Sequence, residues 1–439
     1  MSVNGTRPLS DRRRLTILAI CCMSLLMVSM DNTIVNVALP SIRRDLHASL
    51  SGLQWTIDAY TLVLASLLLL SGSTADRLGR RRTFQAGLAL FAAGSLLCSL
   101  APTLGWLIAA RMLQAVGGSM LNPVAMSIIT NVFTDPRERA RAIGVWGAVV
   151  GVSLALGPVV GGLLTETVGW RAIFWINVPI GLAAIVLCAL FVPESRAPRA
   201  RRVDPVGQLL VIVALASLTY AIIEAPQAGW SSAQTIATFA LAAAALLGIL
   251  YYEPRRADPL IDLRFFRSAP FSGATVIAIS AFAGFSGFLF LNTLYLQDVR
   301  GYSALQAGLS TLPMAVMAAL CSPLSGRLLA ARGPRLPLVI AGACMMTGAL
   351  LLTQLTASTS LALLFAAYAI FGVGFGTVNS PITYTAVSGM PDSQGGVAAA
   401  VASTSRQIGQ TLGVAITGSI LGSAAGVGVG AGSGLPAAS

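Results

Sequence analysis

The amino-acid sequence predicts an all-α polytopic membrane protein. Three observations predict it: an apolar composition that no soluble core can absorb, thirteen apolar runs of bilayer length, and an arginine count that alternates from loop to loop. Of 439 residues, 55% are hydrophobic and 10% charged, and the mean hydropathy is +0.79. Soluble domains carry about 25% charged residues, so this much apolar surface needs lipid around it. The net charge of +12 would suggest a polyanionic partner in a soluble protein, but every basic residue is Arg and nearly all stand between apolar runs. The charge therefore reports topology and not nucleic acid.

Helices follow from the run lengths, since about 20 residues cross a ~30 Å hydrocarbon core, whereas barrel strands would be ~10 residues with strict alternation. The runs lie near 15–38, 53–73, 84–101, 106–131, 141–164, 172–192, 207–224, 233–252, 270–296, 304–326, 336–356, 360–386 and 397–423. The first carries Asp31 deep inside it, and the second opens on QWTIDAYTLVLA with Asp58. The third follows a knot of arginines, and the fourth holds Arg111 and Gln114. Glycines thread the fifth around Pro158, and the sixth begins in WRAIFWINVPIG from Trp170. The seventh and eighth are plain Ala/Leu/Ile sequence between two charged linkers, ESRAPRARRVDP and EPRRADPLIDLRFFR, and read as an insert. The remaining five runs make a second half, the last of them carrying Arg406. After Ser423, AAGVGVGAGSGLPAAS has too much Gly and too little bulk for a further span. The expected organisation is a six-helix bundle over 1–192, a linker with two inserted helices over 193–254, and a five-helix bundle with a Gly/Ala-rich tail over 255–439.

Arginine placement tests the count. With the N-terminus inside, 22 Arg fall in cytoplasmic segments, four outside (Arg43, Arg44, Arg171, Arg300) and two within spans (Arg111, Arg406). That obeys the positive-inside rule through the tenth span. The expected location is the cytoplasmic membrane, multi-pass, with the N-terminus cytoplasmic. The first run is long enough to stay in the membrane, so no cleavable signal peptide is expected. The six cysteines all fall in apolar runs without metal-ligand spacing and read as small buried hydrophobes.

The stretch GSTADRLGRRR, Gly72 to Arg82, packs five charges between two apolar runs. Its glycines recur in GRLLAARGPR, where Gly326 and Gly333 match Gly72 and Gly79 at a constant offset of 254. Such a recurrence marks a duplicated helical bundle. No phosphate loop, His/Cys metal spacing, G-x-S-x-G or HExxH is present, so the reading is a non-enzyme without cofactor.

Local sequences then point to a family. The pattern at Gly72, Asp76, Arg77, Gly79, Arg80 and Arg81 resembles the loop signature of the major facilitator superfamily. Arg111 and Gln114 form its R-x-x-Q, and GVSLALGPVVGG, with Gly151, Gly157, Pro158, Gly161 and Gly162, is similar to the signature of its antiporters. MDNTIVNVALP and WRAIFWINVPIG resemble marks of the fourteen-span drug/proton antiporter branch. Two departures stand out: Ala115 occupies a place where the family usually has Gly, and the fourteenth helix is missing. The resemblance implies the major facilitator fold, two six-helix-type bundles with two inserted helices.

It also implies roles. The Gly72–Arg82 loop would latch one access state by bonding across to the other half, although the same arginines would also serve as an anchor on anionic lipid. The glycine face of the fifth span would seal the inner half of the pathway, or simply pack helices closely. A carboxylate in hydrocarbon is costly, so Asp31 and Asp58 are expected to face the first bundle's cavity, paired or protonated. The resemblance makes them proton-coupling or cation-binding residues, with Arg111 and Gln114 as relay partners. Trp55, Tyr60, Phe285, Phe288, Phe290, Tyr295, Met314 and Met317 are candidates to line a pocket for apolar ligands. Glu224, Asp298 and His47 read as solvated. The function read from the sequence is a monomeric secondary active exporter exchanging drug-like or antibiotic molecules, amphipathic or cationic, for protons by alternating access. An exporter of an endogenous metabolite and, in another class, a passive channel are the alternatives; matched halves fit alternating access better.

Overall fold

The computed structural model describes residues 10–196, 204–256, 259–260, 262–388, 390 and 395–432. Each of the thirteen apolar runs is helical. The first half comprises α1 (Asp11–Leu46), α2 (Leu50–Leu78), α3 (Arg80–Ser99), α4 (Leu104–Val132), α5 (Pro136–Thr167), α6 (Ala172–Trp175) and α7 (Asn177–Phe191). The insert is α8 (Pro205–Ala228) and α9 (Ala233–Tyr252). The second half comprises α10 (Ala269–Leu294), α11 (Ala304–Ser310), α12 (Leu312–Arg332), α13 (Arg335–Leu352), α14 (Leu361–Ser388) and α15 (Gly395–Gly432). Polar caps start the helices: Ser10, Ser49, Thr103, Asp135, Asp204 and Ser232 each accept from a first-turn N–H, and Ser303 with Gln306 forms a capping box.

Two expected spans are broken. The sixth divides at Ile176 and the tenth at Thr311. The last span also ends later than expected: the helix does not stop at Ser423 but runs to Gly432, while residues 433–439, with Arg7, Arg199, Arg201 and Arg202, lie outside the described residues. Among the described residues no separate helix follows it.

The duplication is visible in the packing. α1 packs on α5, α2 on α4 and α3 on α4; in the second half α10 packs on α15, α12 on α14 and α13 on α14. The matched hinge glycines share a conformation, Gly79 at φ 112° and Gly333 at φ 75°, a region open to Gly but strained for other residues. The symmetry fails at one place. α7 covers α3 and α1, but the corresponding faces of α13 and α10 enclose a groove of about 760 Å³ lined by apolar side chains such as Ile277, Phe288, Leu338 and Met345. The insert sits over the seam between halves: α8 lies against α2 and α15, and α9 packs on α8.

The two halves meet on the face away from the arginine-rich hinges. There Arg43 lies 3.6 Å from Asp298, Gln297 donates to the Val37 carbonyl, Gln54 to the Val414 and Ala415 carbonyls, and the Leu305 N–H to Glu166. Near mid-depth Thr411 meets Thr61 at 2.9 Å. The apolar core follows suit, because Phe290, Leu294 and Val414 of the second half join Met30, Ile34 and Leu53 of the first. On the arginine-rich side the first half closes on its own residues, among them Ile17, Phe84 and Val192. Gly72, Gly144, Gly147 and Gly326 have nothing within 4 Å of where a Cβ would stand. The bonds between the halves run from mid-depth to the opposite face, which makes the arginine-rich side the open side of the cleft.

Small residues set the closed contact. A Cβ at Gly162 would collide with the backbone of Ala304 and Leu305, and one at Gly308 with the carbonyl of Pro158. Backbone cannot swing aside, so Gly162→Leu is expected to cost roughly 1–3 kcal/mol by overpacking. Gly147→Leu, in open space on the same helix, should leave stability unchanged. Thermal unfolding of both variants in detergent compares them directly.

Candidate functional site

The buried charges of the first half form one network. Asp31 on α1 is fully buried and accepts from three donors: Arg111 Nη1, Gln114 Nε2 at 2.8 Å and Asn177 Nδ2 at 3.1 Å. Gln114 spans the group, since its Oε1 accepts from Arg111 at 2.6 Å and its Nε2 also reaches Ser95 Oγ at 2.8 Å. The helical offset of three between Arg111 and Gln114 sets both on one face of α4. The break at Ile176 turns Asn177, the first residue of α7, onto Asp31. The network lies inside the first bundle, between α1, α4 and α7.

Arg111 also grips α2. Its Nε donates to the Thr56 carbonyl at 3.2 Å, and its guanidinium lies 4.1 Å from the Tyr60 ring centroid. Between those two contacts sits Asp58. It too is fully buried, but neither carboxyl oxygen has a hydrogen-bond partner. One turn along the same helix, Thr61 makes the contact to Thr411 of the other half. The two expected acids are therefore in opposite states: Asp31 is saturated with donors, and Asp58 is bare.

Four hinge residues, Asp76, Arg80, Arg81 and Arg82, are held within the first half. Asp76 pairs with Arg80 at 3.1 Å; Glu194, just after α7, takes the Arg81 N–H at 3.2 Å and stands 3.8 Å from Arg82; and the Arg80 N–H donates to the Ser195 carbonyl. The glycine face of α5 divides. Gly157 and Gly161 admit Thr33 and Ile34 of α1, while Gly162 meets α11 and a Cβ at Gly151 would stand 3.7 Å from Ala319 on α12. Its tight contacts thus fall toward the face opposite the arginines.

The other candidates scatter. Trp55 donates to Glu224 at 2.9 Å on the insert, so that acid is bonded rather than merely solvated. Asp298 faces Arg43, and His47 ends α1 with φ 49°. Tyr60, Phe290 and Met314 are core residues, Phe285 stacks on Phe375 at 3.9 Å, Met317 is half-buried on α12, and Phe288 and Tyr295 line the α10–α13 groove. Asn177, Ser95 and Glu194 were not singled out from sequence. The signal for Asn177 was an amide in the otherwise apolar AIFWINVPIG.

Comparison with known proteins gives consistent matches. The family model described as Major Facilitator Superfamily matches residues 21–414. Multidrug resistance protein Stp of Mycobacterium tuberculosis is 38% identical over 411 residues, covering 94% of this chain and 76% of Stp. The tetracenomycin C resistance and export protein of Streptomyces glaucescens is 37% identical over 409 residues, covering 92% and 75%. Among solved structures, a bacterial homologue of the human lysosomal transporter Spinster aligns with TM-score 0.68 at 19% identity over 97% of this chain and 86% of that one. An auto-inhibited POT family peptide transporter aligns with TM-score 0.69 at 17% identity over 97% and 92%. At those identities the structural likeness speaks to the fold.

The buried pair should behave as a unit. Removing one partner strands a charge, so Asp31→Asn and Arg111→Gln are each expected to destabilise by about 3–5 kcal/mol. The double variant should lose clearly less than the sum. Unfolding midpoints of the three variants in one detergent test this.

Proposed function

The chain belongs to the major facilitator superfamily, and on that footing we propose that it is a secondary active exporter. It moves drug-like or antibiotic small molecules out across a cytoplasmic membrane in exchange for protons, with the arginine-rich face cytoplasmic. Export is supported by the relatives, one named for multidrug resistance and another for tetracenomycin C resistance and export. The closely related alternative is export of an endogenous metabolite.

The observation that carries the exchange is the bare carboxyl of Asp58. A buried acid without donors is held most cheaply in its neutral form, and a cationic group of a substrate can take the place of that proton. Occupancy by one or the other links opposite fluxes without a second site. Arg111, gripping α2 on both sides of Asp58 and locked by Asp31, Gln114 and Asn177, would pass a change at Asp58 to α1, α4 and α7. Thr61 and Gln54 would carry it to α15.

The open side also gives the hinge a role. With the halves apart on the arginine-rich face, Asp76, Arg80, Arg81 and Arg82 bond within the first half; on closure of that face these groups would be presented to the second half as a latch. Gly72 and Gly326, bare in the open cleft, leave room for that approach.

In sealed vesicles, Asp58→Asn should lose at least about tenfold of efflux driven by a pH gradient, while exchange of labelled for unlabelled substrate without a gradient persists. Undiminished gradient-driven efflux by an Asp31→Asn/Asp58→Asn double variant would remove both acids from the mechanism.

A further inference from the structure

The spanning helices of the second half, α10 to α15, contain no Asp or Glu. The acids after residue 255 are Asp258, Asp262, Asp298 and Asp392; Asp262 precedes α10 and Asp298 stands in the π-helical turn that follows it, while Asp258 and Asp392 lie outside the described residues. Arg406 nevertheless stands eleven residues after Gly395, the start of α15. At 1.5 Å per residue that is about 16 Å along the axis, near the middle of the hydrocarbon.

Its surroundings leave the charge unbalanced. Nη2 donates to Thr383 Oγ1 and, at 3.3 Å, to the Asn379 carbonyl, both on α14. The guanidinium lies 5.9 Å from the Phe282 ring centroid on α10. Nε has no partner, and no ion pair among the described residues includes Arg406. Next to it on α15, Gln407 and Gln410 each carry an Oε1 without a donor. The side chain is half-buried and sits on the open side of the Thr61–Thr411 contact. Arg111, the other intramembrane arginine, shows by contrast what a structural cation here looks like: it is buried and paired with Asp31.

We propose that Arg406 is the anion site of the transport cavity, binding the carboxylate, or an equally acidic enol or phenol oxygen, of the transported molecule. The guanidinium fork is suited to an oxyanion, and the free Gln407 and Gln410 carbonyls would take hydroxyl or amine donors of the same ligand. Substrates then include acids and zwitterions, beyond the cations that suit Asp58. A lipid headgroup has the same anionic chemistry but would have to leave the interface and cross about half the hydrocarbon to reach Arg406, so a soluble substrate is the source assigned. The proposal rests on reading the chain as an exporter, but it concerns binding and needs no gradient.

The test uses the full chain in phosphatidylcholine nanodiscs, titrated with two dyes on one xanthene frame: fluorescein, anionic, and rhodamine 6G, cationic. Arg406→Gln should weaken fluorescein about tenfold or more and leave rhodamine 6G within about twofold, whereas Arg406→Lys should keep most of the fluorescein affinity. Ser403→Asp keeps Arg406 and its bond to α14 but sets a carboxylate one turn away, so it too should weaken fluorescein; it decides the matter if Arg406→Gln does not fold. The proposal is overturned if the wild type does not bind fluorescein, if the variants bind it unchanged, or if Arg406→Gln weakens both dyes equally, as the loss of a structural clip would. It is also overturned if phosphatidylglycerol in the disc displaces fluorescein, which would assign the site to a headgroup. Loss of proton exchange with Arg406-dependent fluorescein binding intact would instead sink the exporter reading and leave this site standing.

Discussion

A charge in hydrocarbon must find its counter-charge inside the protein, and the first half is built around one such meeting. The Asp31–Arg111 pair draws α1 and α4 together, Asn177 adds α7, and the Thr56 carbonyl and Tyr60 ring add α2. Four helices converge on two side chains. The cost of desolvating both ions is repaid only if every lone pair and proton is used, which accounts for the density of polar partners around Asp31 and for Gln114 acting as donor and acceptor at once. Such a core is directional, so it fixes helix rotations that apolar packing alone would leave loose.

The contact between the halves follows the opposite principle. Glycine lets backbones meet directly at Gly162 and Gly308, and the polar ties are a few single hydrogen bonds and the half-exposed Arg43–Asp298 pair along the edge away from the arginines. Without a hydrophobic driving force between helices in lipid, close backbone packing and a few hydrogen bonds are what hold such surfaces. Contacts of this kind separate without stranding a charge. A rigid, charge-locked interior beside a smooth, separable seam is the division that rocking of two bundles requires.

Much of this was legible in the sequence. Run length located thirteen runs that prove helical, and the 254-residue offset between the hinge glycines found the duplication, because each signal comes from a constraint acting on single residues: bilayer thickness and positive φ. The buried acids and Arg111 were legible as costly residues, but not the pairing. Asp31 and Asp58 look alike in sequence, and only the fold shows that one has three donors and the other none. The breaks at Ile176 and Thr311 fall just before Pro179 and Pro313, which suit a helix start, but inside long apolar runs those prolines do not read as breakers. Asn177 becomes meaningful only once the first break turns it toward α1. The end of α15 was misjudged because Gly and Ala lower helix propensity or bulk without forbidding a helix that is already propagating from Arg406 and Gln410.

The duplicated halves have diverged most where charge is concerned. The first keeps two acids and one base in its interior, the second a single base and no acid, while the order of helix packing is shared. Packing order is set by small residues and helix lengths, which tolerate drift. Interior charge is kept only against its cost, and a charge that the fold does not neutralise needs something from outside the fold. Asp58 and Arg406 are the two groups left over in this sense. They lie on α2 and α15, the helices that meet across the seam, on opposite sides of the Thr61–Thr411 contact. Any rocking of the halves about that contact must therefore change the surroundings of both, so whatever neutralises them is coupled to the motion by position alone.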